Sequence, residues 1–312
     1  MNALLLPAGH PASLAPLTDT RDAGECPVAN HALHHWLRYR CRLAGLQVET
    51  ARTQIPPAPE PLHAETLFLR EDAWICADSL ASLRQAGGGH VLRTSQGDVL
   101  AWCGHTADPP PANAPAVPAA PTDFRIRYPW QLLEINRELL DALDTTDIHG
   151  HCDPRNAIDG ILHLGEDSRI LPGVYIEGPV VIGRNCTIGP NCYLRGRTAI
   201  GDGCHIGQAV EIKNSIVMSN TSIGHLSYCG DSVVGENVNF GAGTITANFR
   251  HDGRNHRCMI EGALLDTGRR KLGAVIGDDV HTGIHTSIYP GRKLWPHTST
   301  RPGDIVQKDL HS

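Results

Sequence analysis

The sequence contains no run of 18 apolar residues and no block of five or more like charges along its 312 residues. A bilayer-spanning helix needs about 20 mostly apolar residues, and nucleic acids and anionic membrane surfaces are usually met by clustered positive charge. With a net charge of −6, the chain is not expected to bind nucleic acid or a membrane. The N-terminus also lacks the basic segment of a signal peptide, and its short leucine run predicts a buried strand instead.

The 10 cysteines include no CxxC pair, which argues against a zinc knuckle. In a chain of this length without a secretory signal, such cysteines are expected to be reduced thiols that pack as small hydrophobic residues. The sequence therefore predicts a cytoplasmic protein, and none of its residues is assigned to a metal.

The length of 312 residues allows two domains, each with its own core. Residues 106–123 are rich in proline and alanine without a periodic apolar pattern, and they predict a semi-extended linker. This linker would follow an N-terminal domain of residues 1–105. Residues 124–150 carry apolar residues near helical spacing and predict a helical connector, which leads into a second domain at 151–312.

Aliphatic residues recur at every sixth position through the first part of the second domain. They are Ile158, Leu164, Ile170, Ile176, Ile182, Ile188, Leu194, Ile200, Ile206 and Ile212. A six-residue unit is one short strand plus a corner, so three units close a triangular coil that stacks on the next at a strand spacing of roughly 4.8 Å. The register shifts after Ile212, resumes at Val234, and is then interrupted by a polar and basic segment at 247–274. Such insertions in repeat proteins usually carry function.

Four motifs of this domain, VEIKN, HLSYCGDS, NFGAGT and GRRKLG, resemble those of glucosamine-1-phosphate N-acetyltransferases of the archaeal type, in family order and spacing. The resemblance covers roughly residues 155–310. It implies a left-handed hand for the parallel β-helix, so the expected fold is mainly β with a small α/β N-terminal domain. It also implies acetyl-CoA-dependent N-acetylation of an amino-sugar 1-phosphate, a step of UDP-N-acetylglucosamine-type nucleotide-sugar synthesis that needs no metal. The family's homotrimer, with sites shared between subunits, is expected as well.

An amine that attacks a thioester needs a group with a pKa near 7 to accept its proton, and histidine is the natural candidate. His225 alone among the 18 histidines lies beside the register shift with Tyr228, Asn239 and Asn248 nearby in sequence. Spacing alone also allows an exposed corner histidine. The resemblance implies that His225 is the general base. It further implies that Asn239, Asn248 and Glu211 orient the sugar and the amine, and Asn248 is assigned to the catalytic group with His225.

A sugar 1-phosphate requires cations, and Arg195 and Lys213 stand 18 residues apart. This spacing places them on the same face in successive coils, where both can hold one phosphate. The resemblance implies that role for them and adds Tyr228 as a phosphate contact. In the alternative, Lys213 pairs with Glu211 in a surface ladder of little energetic value.

Two further groups of residues are candidates for acyl-group chemistry. Contacts with the phosphates of coenzyme A are predicted for a set of basic residues, with an exposed basic loop as the alternative: Arg269, Arg270, Lys271, Arg292 and Lys293. Cys229, four residues after His225, raises the alternative of an acyl-enzyme. Other repeat positions, however, use cysteine simply as a small apolar residue.

The N-terminal domain resembles the opening of sugar-phosphate nucleotidyltransferases through PLTDTR at 16–21 and PVAN at 27–30. Where that family has its phosphate loop this chain has Pro11, Ala12 and Ser13, and where it has the catalytic lysine this chain has Ala23. Proline also removes a backbone N–H that would cradle a triphosphate.

Nucleotidyl transfer is therefore expected to be absent, although Asp72 remains a candidate metal ligand from the family's aspartate strand. The domain is also only about half the length of that family. A non-catalytic scaffold or regulatory subunit, or acyl transfer to another sugar acceptor, stays open because one fold hosts many chemistries. The sequence does not separate glucosamine from galactosamine.

Overall fold

A computed structural model describes residues 1–50 and 64–311, which fall into two compact units. Unit 1 comprises Met1–Pro11, Arg21–Cys26 and His31–Arg127. Unit 2 takes the rest of the chain from Tyr128 onward and also includes two short N-terminal segments, Ala12–Thr20 and Pro27–Asn30. The N-terminal segments of unit 2 were assigned to the first domain by the sequence.

Unit 1 is a small α/β unit, as expected. Its six-stranded sheet has the order Gln47–Thr50, Asn2–Leu6, Thr66–Arg70, Val99–Gly104, Val91–Arg93 and Ala116–Pro118. Helices α1 (Leu33–Leu43) and α2 (Ala77–Ala86) pack apolar side chains against the sheet. The remaining short elements of the unit are Ala23–Glu25, His31–Ala32, Ala73–Trp74 and Phe124–Arg125. No helix among the described residues is long and apolar enough to cross a bilayer.

The segment 106–123 differs from the predicted linker. Ala116–Pro118 pairs in parallel with Val91–Arg93 at the edge of the sheet, where proline is tolerated because one side of an edge strand needs no ladder bonds. The Asp123 carboxylate accepts a hydrogen bond from the Cys76 N–H at 2.7 Å. The segment therefore belongs to unit 1, and the boundary lies between Arg127 and Tyr128.

Unit 2 is a parallel β-helix whose coils give one strand each to three sheets. Sheet 1 contains Asp147–Ile148, Leu162–Leu164, Val180–Ile182, Thr198–Ile200, Ile216–Val217, Val233–Val234, Val275–Ile276 and Lys293–Leu294. Sheet 2 contains His151–Cys152, Arg169–Ile170, Thr187–Ile188, His205–Gln208, Ser222–His225 and Asn239–Phe240. Sheet 3 contains Ala157–Asp159, Tyr175–Glu177, Tyr193–Arg195, Glu211–Lys213, Tyr228–Gly230, Ile245–Thr246, Ser287–Ile288 and Ile305–Val306. The predicted fold class, mainly β with a hexapeptide β-helix, is confirmed.

The six-residue register forms the core of this β-helix. Nine of its ten aliphatic residues are at most 2% exposed, and Ile158, in the first strand of sheet 3, is 37% exposed. Helix α3 (Gln131–Asp141) lies in the predicted connector. Ala12–Leu14, Leu17–Asp19 and Pro27–Val28 are the short elements of the N-terminal segments.

The coils shorten by one residue after Ile200, which the sequence count missed. Ile182 pairs with Ile200, 18 residues on, whereas Ile200 pairs with Val217, 17 residues on. The same step brings Cys229 beneath Ile212. Cys229 is therefore an inward-facing repeat residue, because the shortened coil shifts the phase that the sequence had extended by 18.

The insertion at 247–274 leaves the coil as predicted. It contains an antiparallel hairpin of Arg257–Ile260 and Ala263–Asp266. The coil resumes where Val234 pairs with Ile276, 42 residues further on. The insertion therefore adds a local structure to the β-helix without ending it.

Candidate active site

Sheet 3 places the predicted phosphate-binding residues on one outer face. Arg195 pairs in register with Lys213, which confirms that an 18-residue spacing stacks them in successive coils. The neighbouring column of the same strands runs from Tyr193 to Glu211 and Tyr228. Successive residues of a strand point to opposite faces, so the residues between these columns are buried and the columns themselves face outward.

Each of the two cations has a carboxylate partner. The Arg195 Nε donates to Glu211 Oε1 at 2.7 Å, and both side chains are about one-third exposed. Lys213 Nζ lies 3.0 Å from Asp231 Oδ2 rather than pairing with Glu211. The surface ladder of Lys213 and Glu211 is therefore not formed, and both cations are held in place by acids.

Asp231 is the most connected residue of the cluster, and the sequence analysis did not single it out. Its side chain is only 4% exposed. It accepts hydrogen bonds from Asn214 Nδ2 at 2.7 Å and from Asn248 Nδ2 at 2.6 Å, in addition to Lys213. A signal was present, because Asp231 lies within the HLSYCGDS motif only six residues after His225.

Tyr228 joins the insertion to this face. Its hydroxyl accepts a hydrogen bond from Asn248 Nδ2 at 2.9 Å. Burial, reinforced by the charges of Asp231 and Glu211, raises the pKa of Tyr228 to about 12. The phenol therefore keeps its proton at neutral pH and can donate it to an anion on this face.

His225 ends the sheet 2 strand Ser222–His225, and its side chain is exposed. Only Leu226 and Ser227 separate it from the strand that begins at Tyr228, so His225 lies at the corner next to the phosphate face. Asn239 is exposed on the adjacent strand of sheet 2, where it pairs in register with Ser222. The structure thus puts both on the outer surface of neighbouring coils.

Cys229 lies in the core behind this face. It is fully buried, and burial raises the pKa of its thiol to about 12. A thiolate is the nucleophilic form of cysteine, and Cys229 neither reaches the surface nor ionises readily. The arrangement does not support an acyl-enzyme at this residue.

The basic residues assigned to coenzyme A do not come together. Arg269, Arg270 and Lys271 line a cavity of about 320 Å³ that Asp231 also borders. The Arg269 guanidinium is mostly buried and lies 3.5 Å from Glu134 of α3, with its pKa lowered by burial.

Arg292 lines a different cavity, of about 590 Å³. Lys293 is wrongly assigned as a ligand-binding cation, because its side chain is buried. Its Nζ lies 4.0 Å from Asp309 Oδ2 and over the ring of Trp295. This placement follows from its position in sheet 1, where it pairs with Val275.

Asp72 is also not placed as a metal ligand. It is 2% exposed, and Arg70 donates to both of its oxygens at 2.8 and 3.0 Å, while Arg125 donates to Oδ2 at 2.9 Å. A carboxylate so engaged by two arginines has little capacity left for a cation. Within residues 1–50 and 64–311, no group of three or more His, Cys, Asp or Glu side chains is arranged to hold a metal.

His256 fastens the insertion beneath Asn248. It is buried, and its Nε2 lies 3.0 Å from the Asn248 carbonyl oxygen, so Nε2 carries the proton because a carbonyl only accepts. Burial lowers the pKa of His256; Arg250 lowers it further, whereas its hydrogen bonds and the charge of Asp231 oppose the shift.

Acid is therefore expected to destabilise the protein through His256. A lowered folded-state pKa means that the neutral ring contributes stability above the unfolded value of about 6.5, and that this stability is lost as the pH falls through the folded-state pKa. His256→Gln, which keeps a donor, should lose less melting temperature between pH 7.5 and pH 5 than the wild type does. His205→Gln, an exposed control, should follow the wild type. Equal losses in all three proteins would contradict the prediction.

Comparison with known proteins supports the motifs described above. Residues 176–300 match a family described as the GMPPB C-terminal domain. A "Bifunctional sugar-1-phosphate nucleotidylyltransferase/acetyltransferase" of Sulfurisphaera tokodaii is 43% identical over 185 residues, which are 59% of this chain and 46% of that protein. A "Bifunctional protein GlmU" of Methanocaldococcus jannaschii is 39% identical over 184 residues, 59% of this chain and 45% of that protein.

The aligned region thus spans under half the length of these curated relatives. The predicted resemblance is confirmed for the C-terminal region, where homologues with these names match the chain. A crystal structure from Bacillus cereus, named provisionally as an acetyltransferase, covers 52% of this chain and 78% of its own at 15% identity and a TM-score of 0.21. A similarity that weak carries no argument.

Proposed function

We propose that this chain, whose C-terminal region is homologous to proteins named for sugar-1-phosphate nucleotidylyl and acetyl transfer, acetylates the amine of an amino-sugar 1-phosphate with acetyl-CoA. Glucosamine 1-phosphate is the proposed acceptor, and the product would enter nucleotide-sugar synthesis. One observation carries the proposal: Arg195 and Lys213 stack on one face, and exposed His225 stands at its corner. Two cations suit a phosphate monoester, and an exposed imidazole suits proton transfer.

The reaction forms a C–N bond and breaks a C–S bond. The neutral amine attacks the thioester carbonyl carbon, and the tetrahedral intermediate collapses with loss of the coenzyme A thiolate. His225 accepts the proton that the amine loses and can return it to the departing sulfur. Asn248, held beside Tyr228 by a 2.9 Å hydrogen bond, is close enough to the phosphate face to contact the sugar.

The phosphate group would lie over the Arg195 and Lys213 column. Glu211 and Asp231 hold these cations in place but also neutralise part of their charge. The protonated Tyr228 hydroxyl supplies a further donor that carries no such compensating charge. Binding of the phosphate would therefore depend on charge-assisted and neutral hydrogen bonds together.

The direct test is thiol release from acetyl-CoA with a panel of acceptors. Glucosamine 1-phosphate should give rapid release, galactosamine 1-phosphate reports on the sugar, and glucosamine without phosphate should react poorly. No release above the buffer rate with any amino-sugar phosphate would refute the proposed function and favour a non-catalytic scaffold.

Arg195→Ala is expected to weaken the acceptor far more than acetyl-CoA. A charge-assisted hydrogen bond is worth about 1.5–3 kcal/mol, or roughly tenfold to a hundredfold in binding. KM for the sugar phosphate should rise by that factor and KM for acetyl-CoA should change little. Arg197→Ala is the matched control, because Arg197 pairs with Asp141 at 2.7 Å away from the phosphate face. Equal rises in both KM values would indicate damage to the coil.

A homotrimer with shared active sites is also expected. Tyr175, Ile245 and Ile305 occupy one outward column of sheet 3 and are 38%, 39% and 57% exposed. Packing this column against a second copy would remove apolar surface from water. Light scattering should give three chains per particle at assay concentration, and a stable, active monomer would contradict the prediction.

A further inference from the structure

We propose that Asp231 is a positioning residue that fixes the side-chain amide of Asn248 in one orientation for catalysis. The inference rests on the proposed acetyl transfer. Asp231 does not reach the outer face itself, since its side chain is 4% exposed. It acts through the residues that donate to it.

The orientation of Asn248 follows from the chemistry of its neighbours. An ionised carboxylate only accepts hydrogen bonds, so the Asn248 atom 2.6 Å from Asp231 Oδ2 must be the amide nitrogen. The same nitrogen lies 2.9 Å from the Tyr228 hydroxyl. Both N–H groups of the amide are then used, and Oδ1 is left as the acceptor that Asn248 offers elsewhere.

This orientation matters because the acceptor amine is a donor. An amide that presents oxygen can accept an N–H from the amine and hold its lone pair toward the thioester, whereas an amide that presents nitrogen repels it. The Tyr228 hydroxyl is affected as well. Since it accepts from Asn248, its own hydrogen is free to reach the phosphate. One carboxylate thus sets the donor and acceptor pattern of two residues.

Asp231 is built to be immovable. Lys213 and Asn248 both donate to Oδ2, and Asn214 donates to Oδ1. The main chain is fixed too, because the Asp231 N–H donates to the Lys213 carbonyl and the Gly273 N–H donates to the Asp231 carbonyl, each at 2.8 Å. The latter bond ties the end of the insertion to the coil that carries the cluster.

The backbone at this position also restricts what can replace the residue. Asp231 has a φ of +50°, in the left-handed region that asparagine and aspartate tolerate better than most other residues. Asp231→Asn therefore keeps the size and the backbone preference while it removes the charge. The neutral amide of this variant can donate as well as accept, so it no longer dictates which end of the Asn248 amide faces it.

Asp231→Asn is expected to lower kcat by roughly tenfold to a hundredfold, the effect of a misoriented group next to the reacting atoms. KM for the sugar phosphate should stay the same or fall, because Lys213 no longer shares its charge with a carboxylate. Asp202→Asn is the matched control: Asp202 pairs with Arg184 in the preceding coil at 3.1 Å, on exposed surface. It should leave kcat and KM unchanged.

The exchange Asp231→Asn with Asn248→Asp separates positioning from structure. In this double variant the amide at position 231 can donate to the carboxylate at position 248, and that carboxylate offers an acceptor to the amine in either orientation. The double variant should therefore recover most of the lost kcat, including in the event that Asp231→Asn alone folds poorly.

Steady-state kinetics and thermal melting of the wild type and these three variants decide the matter. A folded Asp231→Asn protein with wild-type kcat overturns the inference, and so does a folded double variant without recovery. A wild type that transfers no acetyl group removes the proposed function and this role of Asp231 with it. An active wild type with an unaffected Asp231→Asn variant removes the role alone.

Discussion

His225→Ala is expected to lower acetyl-transfer turnover by roughly 10²–10⁴, the usual value of a positioned general base. His225 is exposed at the end of its strand, so its loss should not disturb the core. The amine would then lose its proton only to water. Turnover measured by thiol release, together with a circular dichroism melt, tests the prediction.

The matched control is His205→Ala. His205 is also exposed, and it lies in sheet 2 one coil before the strand of His225, in register with Ser222. It should keep wild-type turnover. A folded His225→Ala protein with near-normal turnover would end the general-base assignment, and equal losses in both variants would point to the sheet.

Cys229→Ala extends this test to the nucleophile. The buried thiol with its pKa raised to about 12 is expected to serve packing alone, so the variant should remain largely active with some loss of stability. Inactivation of a folded Cys229→Ala protein would revive the acyl-enzyme alternative.

Periodicity predicted the β-helix because a repeated unit leaves the same signal many times over. Ile188, Leu194 and Ile200 occupy equivalent inward positions in successive strands, and one irregular residue does not hide them. The 18-residue spacing of Arg195 and Lys213 follows from the same geometry. Residues on regular coils were therefore placed correctly from the sequence.

The errors fall where that regularity ends. Cys229 was followed through a coil that is one residue shorter than the others, so its inward position could not be read from an 18-residue count. Lys293 was grouped with basic residues by charge, although it lies in a strand of sheet 1 and pairs with Asp309. Asp231 was missed because its importance comes from three donors that lie 17 or 18 residues away along the chain, and only the coiling brings them to it.

The N-terminal motifs have a structural explanation that needs no nucleotide. Within unit 2, the Ala29 N–H donates to Asn136 Oδ1 at 2.9 Å, and Asn30 Nδ2 donates to the Ile200 carbonyl at 2.7 Å. The PVAN segment at 27–30 is thus bound to helix α3 and to the β-helix. Such contacts are sufficient to retain the motif after its catalytic surroundings have changed.

The residues that would perform nucleotidyl transfer are altered or engaged elsewhere. Ala23, at the position of the family's lysine, is buried, and its N–H donates to the Gly9 carbonyl at 3.0 Å. Asp72 is held by Arg70 and Arg125. Nucleotidyl transfer depends on cations and donors that stabilise charge on the transferring phosphoryl group, and one lost contact commonly costs roughly 10²–10³ in rate.

The chain is accordingly expected to form no UDP-sugar from UTP and N-acetylglucosamine 1-phosphate. Losing the lysine, the phosphate loop and a free metal-binding carboxylate together multiplies these factors, so the rate should fall below detection. Pyrophosphate release with UTP, Mg²⁺ and a panel of sugar 1-phosphates measures it, with the same preparation shown to be active in acetyl transfer as the control. Asp72→Asn keeps the shape of the side chain between the two arginines, and pyrophosphate release that this variant abolishes would show that Asp72 still binds a catalytic metal and that the prediction is wrong.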